Sequence, residues 1–136
     1  MTTGECNCGA VAFELKSDPA DIYVCHCSIC RRFTGSNGIA VIVVGNEDFR
    51  WIRGEDSIRS WKKHGSDWAR FFCGECGSPV PGPNDDTRMF VPAGLLDAAQ
   101  GSLRVAHHIW VDSKADWDVI GDSGLQHPEK FRSNDR

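Results

Sequence analysis

No apolar run in these 136 residues approaches the ~20 needed to cross a bilayer as a helix, so a helical membrane span is excluded. Internal repeats and low-complexity tracts are absent too, and with 40% apolar and 25% charged residues the composition is globular rather than disordered. Positive charge is in short supply: 15 Lys and Arg against 19 Asp and Glu give a net charge of -4 and a pI near 5.7. That balance leaves no electrostatic footprint for nucleic acid and disfavours a DNA-binding zinc ribbon. The first residues, Met1-Thr2-Thr3-Gly4-Glu5, have neither the basic nor the apolar region of a signal peptide. The expectation is a soluble cytoplasmic protein with no membrane partner. Helical periodicity is weak throughout, which points away from a helix bundle.

What the chain does have is cysteine. Cys25-His26-Cys27-Ser28-Ile29-Cys30-Arg31-Arg32 packs three thiols into one short stretch, and the other four fall into the pairs Cys6/Cys8 and Cys73/Cys76. A reducing compartment makes disulfides unlikely partners for such clusters and metal binding or catalysis the expected use. The seven divide as four plus three. Four sulfurs complete a tetrahedral site alone, whereas three protein ligands with an open position are the pattern of a catalytic zinc.

Around these clusters the chain reads as short strands. Val11, Phe13 and Leu15 recur at period two, and Ile22-Tyr23-Val24 leads into the central cysteines. Ser28 is placed to cap a turn of helix ending near Gly35. Gly38 to Val44 is a continuous β-branched run, suited to a strand covered on both faces. Further strands are expected at Phe49-Arg53, Ile58-Lys62, Ala69-Phe72, Arg88-Val91 and Arg104-Val111, with an irregular Pro-rich loop from Ser78 to Asp86. The fold class is therefore all-β: one domain over residues 1–120, followed by a loose polar C-terminal tail over 121–136.

Cys6 and Cys8 project to one side of an extended segment, and Cys73-Gly74-Glu75-Cys76 supplies a turn-mounted pair. A metal joining them is structural, with zinc expected, although iron also suits four sulfurs. Cys25, Cys27 and Cys30 form a second site that is one ligand short. Either a histidine among His26, His64, His107 and His108 closes it, giving a zinc-stabilised interaction domain, or the fourth position takes water or a substrate atom. His26 is poorly placed to close it, because it points away from its neighbours on extended backbone. An open zinc lowers the pKa of a bound thiol and polarises a carbonyl.

The C-x-C near the N-terminus, C-H-C-x-x-C-R-R followed by Thr34-Gly35-Ser36, F-C-x-x-C-G, and His108-Ile109-Trp110-Val111-Asp112-Ser113-Lys114-Ala115 with Trp117 together resemble the glutathione-dependent formaldehyde-activating enzyme family, which includes centromere protein V. The resemblance spans roughly residues 4 to 117. It implies a β-tent fold, small antiparallel sheets pinned by zinc. It implies that Cys6, Cys8, Cys73 and Cys76 hold a structural ion and that Cys25, Cys27 and Cys30 bind a catalytic one, two zinc ions per chain. The activity it implies is that of a carbon-sulfur lyase joining the thiol glutathione to the aldehyde formaldehyde as S-hydroxymethylglutathione. Arg31 and Arg32 are read as solvated surface cations, with the offsetting of thiolate charge or the holding of a substrate carboxylate as the alternative. Trp51, Trp61, Trp68, Trp110 and Trp117 are expected in the core, and His107 and His108, on opposite strand faces, in ordinary packing.

Overall fold

Alternation around Phe13 gives the first hairpin its buried side: Val11, Phe13 and Leu15 are all sealed from solvent. The computed structural model describes residues 1–97 and 103–131. In chain order its strands are β1 (Thr2–Glu5), β2 (Ala12–Leu15), β3 (Asp21–Cys25), β4 (Ile39–Gly45), β5 (Phe49–Arg53), β6 (Ile58–Lys62), β7 (Ala69–Cys73), β8 (Gly82–Pro83), β9 (Arg88–Pro92), β10 (Arg104–Ile109) and β11 (Leu125–Gln126). Among the described residues one α-helix, α1 (Ser28–Thr34), and four single-turn 3-10 helices interrupt them.

Strands β1, β2 and β5 form an antiparallel sheet, and β6 pairs with β7 as a hairpin. The largest sheet runs β11-β10-β3-β4-β9-β8. Its centre is antiparallel, but β10 lies parallel to both β3 and β11. This mainly β architecture of small sheets agrees with the expected fold class.

The β4 run divides its two faces between different duties. Ile42 and Val44 are buried with Phe13, Leu15 and Val91 in the main core. Ile39, Val41 and Val43 alternate with them and line a cavity instead. So β4 is apolar on both faces, yet only one is packed solid. A second apolar cluster joins Cys6, Val11, Cys73 and Val80, with Trp51, Ile58 and Phe71 against it. Of the five tryptophans, Trp51 packs into the core as expected, whereas Trp61, Trp68 and Trp117 are 58%, 45% and 70% exposed.

Residues 121–131 are not a loose tail. Leu125 and Gln126 pair with His107 and His108, and the His127 N–H donates to the His108 carbonyl at 2.8 Å. The N–H groups of Trp110 and Val111 donate to the carbonyls of Glu129 and His127 at 2.8 and 3.1 Å. Composition misled here because backbone pairing, His127 and Phe131 anchor the segment, not an apolar period. Residues 132–136 of the expected tail lie outside the described residues.

Candidate metal centres

Two turns bring the four-sulfur group together. After β1, the Gly9 N–H donates to the Cys6 carbonyl (3.1 Å), with Gly9 at φ 79°; after β7, the Gly77 N–H donates to the Cys73 carbonyl (2.8 Å), with Gly77 also at φ 79°. Glycine takes that conformation without a Cβ clash. The sulfur atoms of Cys6 and Cys8 lie 3.7 Å apart, and those of Cys8 and Cys73 lie 3.8 Å apart. Sulfurs about 2.3 Å from a tetrahedral zinc would be separated by about 3.8 Å, so the spacing fits that ion. Backbone N–H groups of Val11 and Glu75 donate to Cys6 and Cys73 Sγ at 3.3 and 3.4 Å, as suits anionic sulfur. Ser78 Oγ accepts from the Asn7 N–H and sits 3.2 Å from Cys76 Sγ, lowering that thiol to about 6.

The three-sulfur group is built where β3 runs into α1. Cys25 ends the strand, Cys27 is the helix N-cap and Cys30 lies in the first turn. The cap is thus Cys27 and not Ser28: its Sγ accepts from the Cys30 N–H at 3.4 Å, while Gly35 closes the helix at φ 69°. The three sulfurs lie within 4.8 Å of one another, Cys25 and Cys30 buried and Cys27 half-buried. Cys25 and Cys30 donating to the Cys27 sulfur drive that thiol down to about 2. The hydrogen bond to Cys27 in turn pushes Cys25 up to about 11, and Cys30 is raised by its bonds to Cys25 and Cys27. One thiolate forms easily and two more are opposed, so the trio ionises fully only around a cation, which is the donor chemistry of a soft metal.

Among the described residues, the side chains converging here as metal ligands are those three cysteines alone. The histidines considered as a fourth ligand are engaged elsewhere. His64 is exposed in the β6–β7 turn, and His107 Nδ1 lies 2.9 Å from His127 Nε2. His26 and His108 form a buried chain behind the cysteine loop. His108 Nε2 lies 2.8 Å from Asp122 Oδ1, and His26 Nε2 lies 2.8 Å from His108 Nδ1. A carboxylate only accepts, so His108 carries its hydrogen on Nε2 and accepts from His26 at Nδ1. His26 Nδ1 is then a bare lone pair, 3.4 Å from Asp118 Oδ2. Both of those atoms are buried without a hydrogen bond. Burial and the neighbouring His108 hold His26 below the usual imidazole range.

Cys25 and Cys30 form part of the wall of a cavity of about 390 Å³. Ile39, Val41, Val43, Phe33, Phe90 and Ile109 give it an apolar body, and Trp68 and Trp110 its aromatic rim. Trp110 holds φ 57°, a left-handed conformation uncommon for a bulky residue. Arg70, Arg88 and Lys130 also line the space, and among the described residues no Asp or Glu does.

Sequence reasoning missed Arg70. It put the candidate cations at Arg31 and Arg32, of which Arg32 is exposed, whereas Arg70 Nη2 donates to Cys30 Sγ at 3.3 Å. The available signal was a lone cation inside the apolar run Ala69-Arg70-Phe71-Phe72. Lys130 and Phe131 were missed because they belong to the segment read as tail.

The model of the glutathione-dependent formaldehyde-activating enzyme family matches residues 1–113. The chain belongs to this family. A relative from Halomonas elongata, provisionally named a glutathione-dependent formaldehyde-activating enzyme, is 32% identical over 129 residues, covering 88% of this chain and 81% of its own. A crystal structure of a Rhodobacter sphaeroides protein shares the fold, with a TM-score of 0.58, 24% identity and coverage of 73% of this chain and 91% of its own. The family match ends before Lys130 and Phe131, so part of the cavity wall comes from outside it.

Proposed function

We propose that the chain is a zinc-dependent enzyme of the carbon-sulfur lyase type, which joins a thiol to an aldehyde or releases them from their adduct. Glutathione and formaldehyde are the pair indicated by the names of its family and relative. The observation that carries the reading is the convergence of Cys25, Cys27 and Cys30, without a fourth protein ligand among the described residues, at the wall of the cavity. Cys6, Cys8, Cys73 and Cys76 hold a structural zinc on this reading, and Cys25, Cys27 and Cys30 a catalytic one. A catalytic zinc there would act as a Lewis acid that favours the ionised form of a substrate thiol.

The chain's own residues supply the rest. The cavity, near the small end of the roughly 300–1,000 Å³ range for small-molecule sites, shields the reacting atoms from bulk water. Of the cations at its wall, Arg88 is already paired with Asp85, and Lys130 suits a substrate that carries a carboxylate, as glutathione does. The reaction is an addition. A C–S bond forms at the carbonyl carbon, and the thiol proton ends on the former carbonyl oxygen, so no oxidant is consumed. Seven free thiols suit a reducing, cytoplasmic setting, and among the described residues no helix is long and apolar enough to cross a membrane.

The test is NMR exchange spectroscopy on glutathione and formaldehyde with fully metal-loaded protein. Exchange between free glutathione and its hydroxymethyl adduct should run faster than the spontaneous rate, and Cys27→Ser should abolish the gain. An unchanged rate with two ions bound per chain would favour the zinc-stabilised interaction domain.

A further inference from the structure

Arg70 is buried, 5% exposed, on a strand that serves both cysteine groups: β7 ends at Cys73 of the four-sulfur group, while Arg70 reaches Cys30 of the other. Its guanidinium lies 4.7 Å from the Trp68 ring centroid and 5.5 Å from that of Phe33. Nη1 donates to the Ala69 carbonyl at 3.1 Å, Nη2 to Cys30 Sγ at 3.3 Å, and Nε is buried without a partner. Among the described residues no carboxylate forms an ion pair with it. A buried cation needs a counter-charge, and the anionic atom within its reach is the cysteine sulfur.

We propose that Arg70 is a positioning residue that sets the net charge of the three-sulfur site, so that the site accepts an anionic sulfur as fourth ligand. The inference rests on the reading that Cys25, Cys27 and Cys30 hold a divalent ion. Three thiolates around such an ion leave one net negative charge, which repels an incoming thiolate. The Arg70 guanidinium, clamped by two aromatic rings and bonded to one of the sulfurs, cancels that charge. The four-sulfur group differs in kind: it is already saturated, and Cys8 and Cys76 are exposed, so water screens its charge.

A role in charge separates from a merely structural one in cobalt-loaded protein titrated with 2-mercaptoethanol, which ligates as a thiolate, and with imidazole, which ligates neutral, each followed by visible absorption. In wild type, thiol should change the spectrum of the three-sulfur cobalt alone. Arg70→Gln should weaken thiol binding by about ten-fold or more while leaving imidazole within about two-fold, the scale expected when a partner of a metal ligand is removed. An unchanged thiol affinity, or equal losses for both ligands, overturns the role in charge. A wild-type protein whose cobalt ignores thiol overturns the underlying site reading, and the inference with it. The four-sulfur cobalt spectrum reports the fold of each variant. Should Arg70→Gln lose it, Arg70→Met, which removes the charge with an apolar side chain that suits the buried position, takes its place. A loss confined to thiol then supports the proposal, and parallel behaviour of the two ligands overturns it.

Discussion

Replacing Asp118 by Asn should stabilise the protein, although it removes a charge beside a histidine. His26 Nδ1 and Asp118 Oδ2 face each other as two acceptors 3.4 Å apart, both buried and both without a hydrogen bond. In Asp118→Asn the amide oxygen can keep the bond that Asp118 Oδ1 accepts from Asn37 Nδ2 at 3.3 Å. The amide NH2 then takes the place of Oδ2 and donates to His26 Nδ1. The Lys114 ammonium bonds the main-chain carbonyl of residue 118 and is not disturbed. A net buried hydrogen bond contributes about 1 kcal/mol, which for a chain of this length raises the melting temperature by about 3–4 °C. Differential scanning calorimetry of metal-loaded protein at pH 7.5 would read it. Asp118→Ala is the control: it loses the Asn37 bond, supplies no donor and should melt below wild type. If Asp118→Asn instead melts several degrees lower, His26 is an imidazolium paired with the carboxylate, and the tautomer chain derived from Asp122 is wrong.

Three further outcomes follow from the same structure. Burial and the adjacent His108 hold the proton affinity of His26 below its ordinary value. The unfolded chain therefore binds the extra proton more readily, and stability should be full above about pH 7 and decline as pH falls through about 6.5. A melting temperature that climbs from pH 7.5 to 6, with metal content unchanged, contradicts this. Cys73→Ser should cost one of two bound ions and most of the folding stability, because a structural zinc site supplies about 10 kcal/mol or more. Cys27→Ser should also lose one ion yet still melt cooperatively, as metal analysis and calorimetry together would show. Gly38→Ala would place a Cβ 2.4 Å from the Cys25 carbonyl oxygen, so β4 must shift where it pairs with the cysteine loop. The expected cost is about 1–3 kcal/mol, with an altered cobalt spectrum at the three-sulfur site and an unaltered one at the other.

The sequence by itself determined the division of the cysteines, most of the strands, and the family. Each of those signals is local: Cys25, Cys27 and Cys30 are close in sequence and meet across one strand-to-helix turn, and Val11, Phe13 and Leu15 share a face because strand geometry alternates. Even the far-apart pairs at Cys6/Cys8 and Cys73/Cys76 were recognisable, because a metal site demands a fixed number of ligands and two pairs supply it. What only the tertiary structure decided depends on partners that neither spacing nor composition connects. Arg70 reaches Cys30 across 40 positions, and His26 reaches His108 across 82. Lys130 and Phe131 enter the cavity because β11 adds to the edge of β10 through backbone hydrogen bonds, which every residue but proline can donate and which therefore leave no mark in composition. The outer face of β4 illustrates the same limit: Ile39, Val41 and Val43 are as apolar as the core residues between them, and only the placement of the opposite walls leaves a cavity there instead of solid packing.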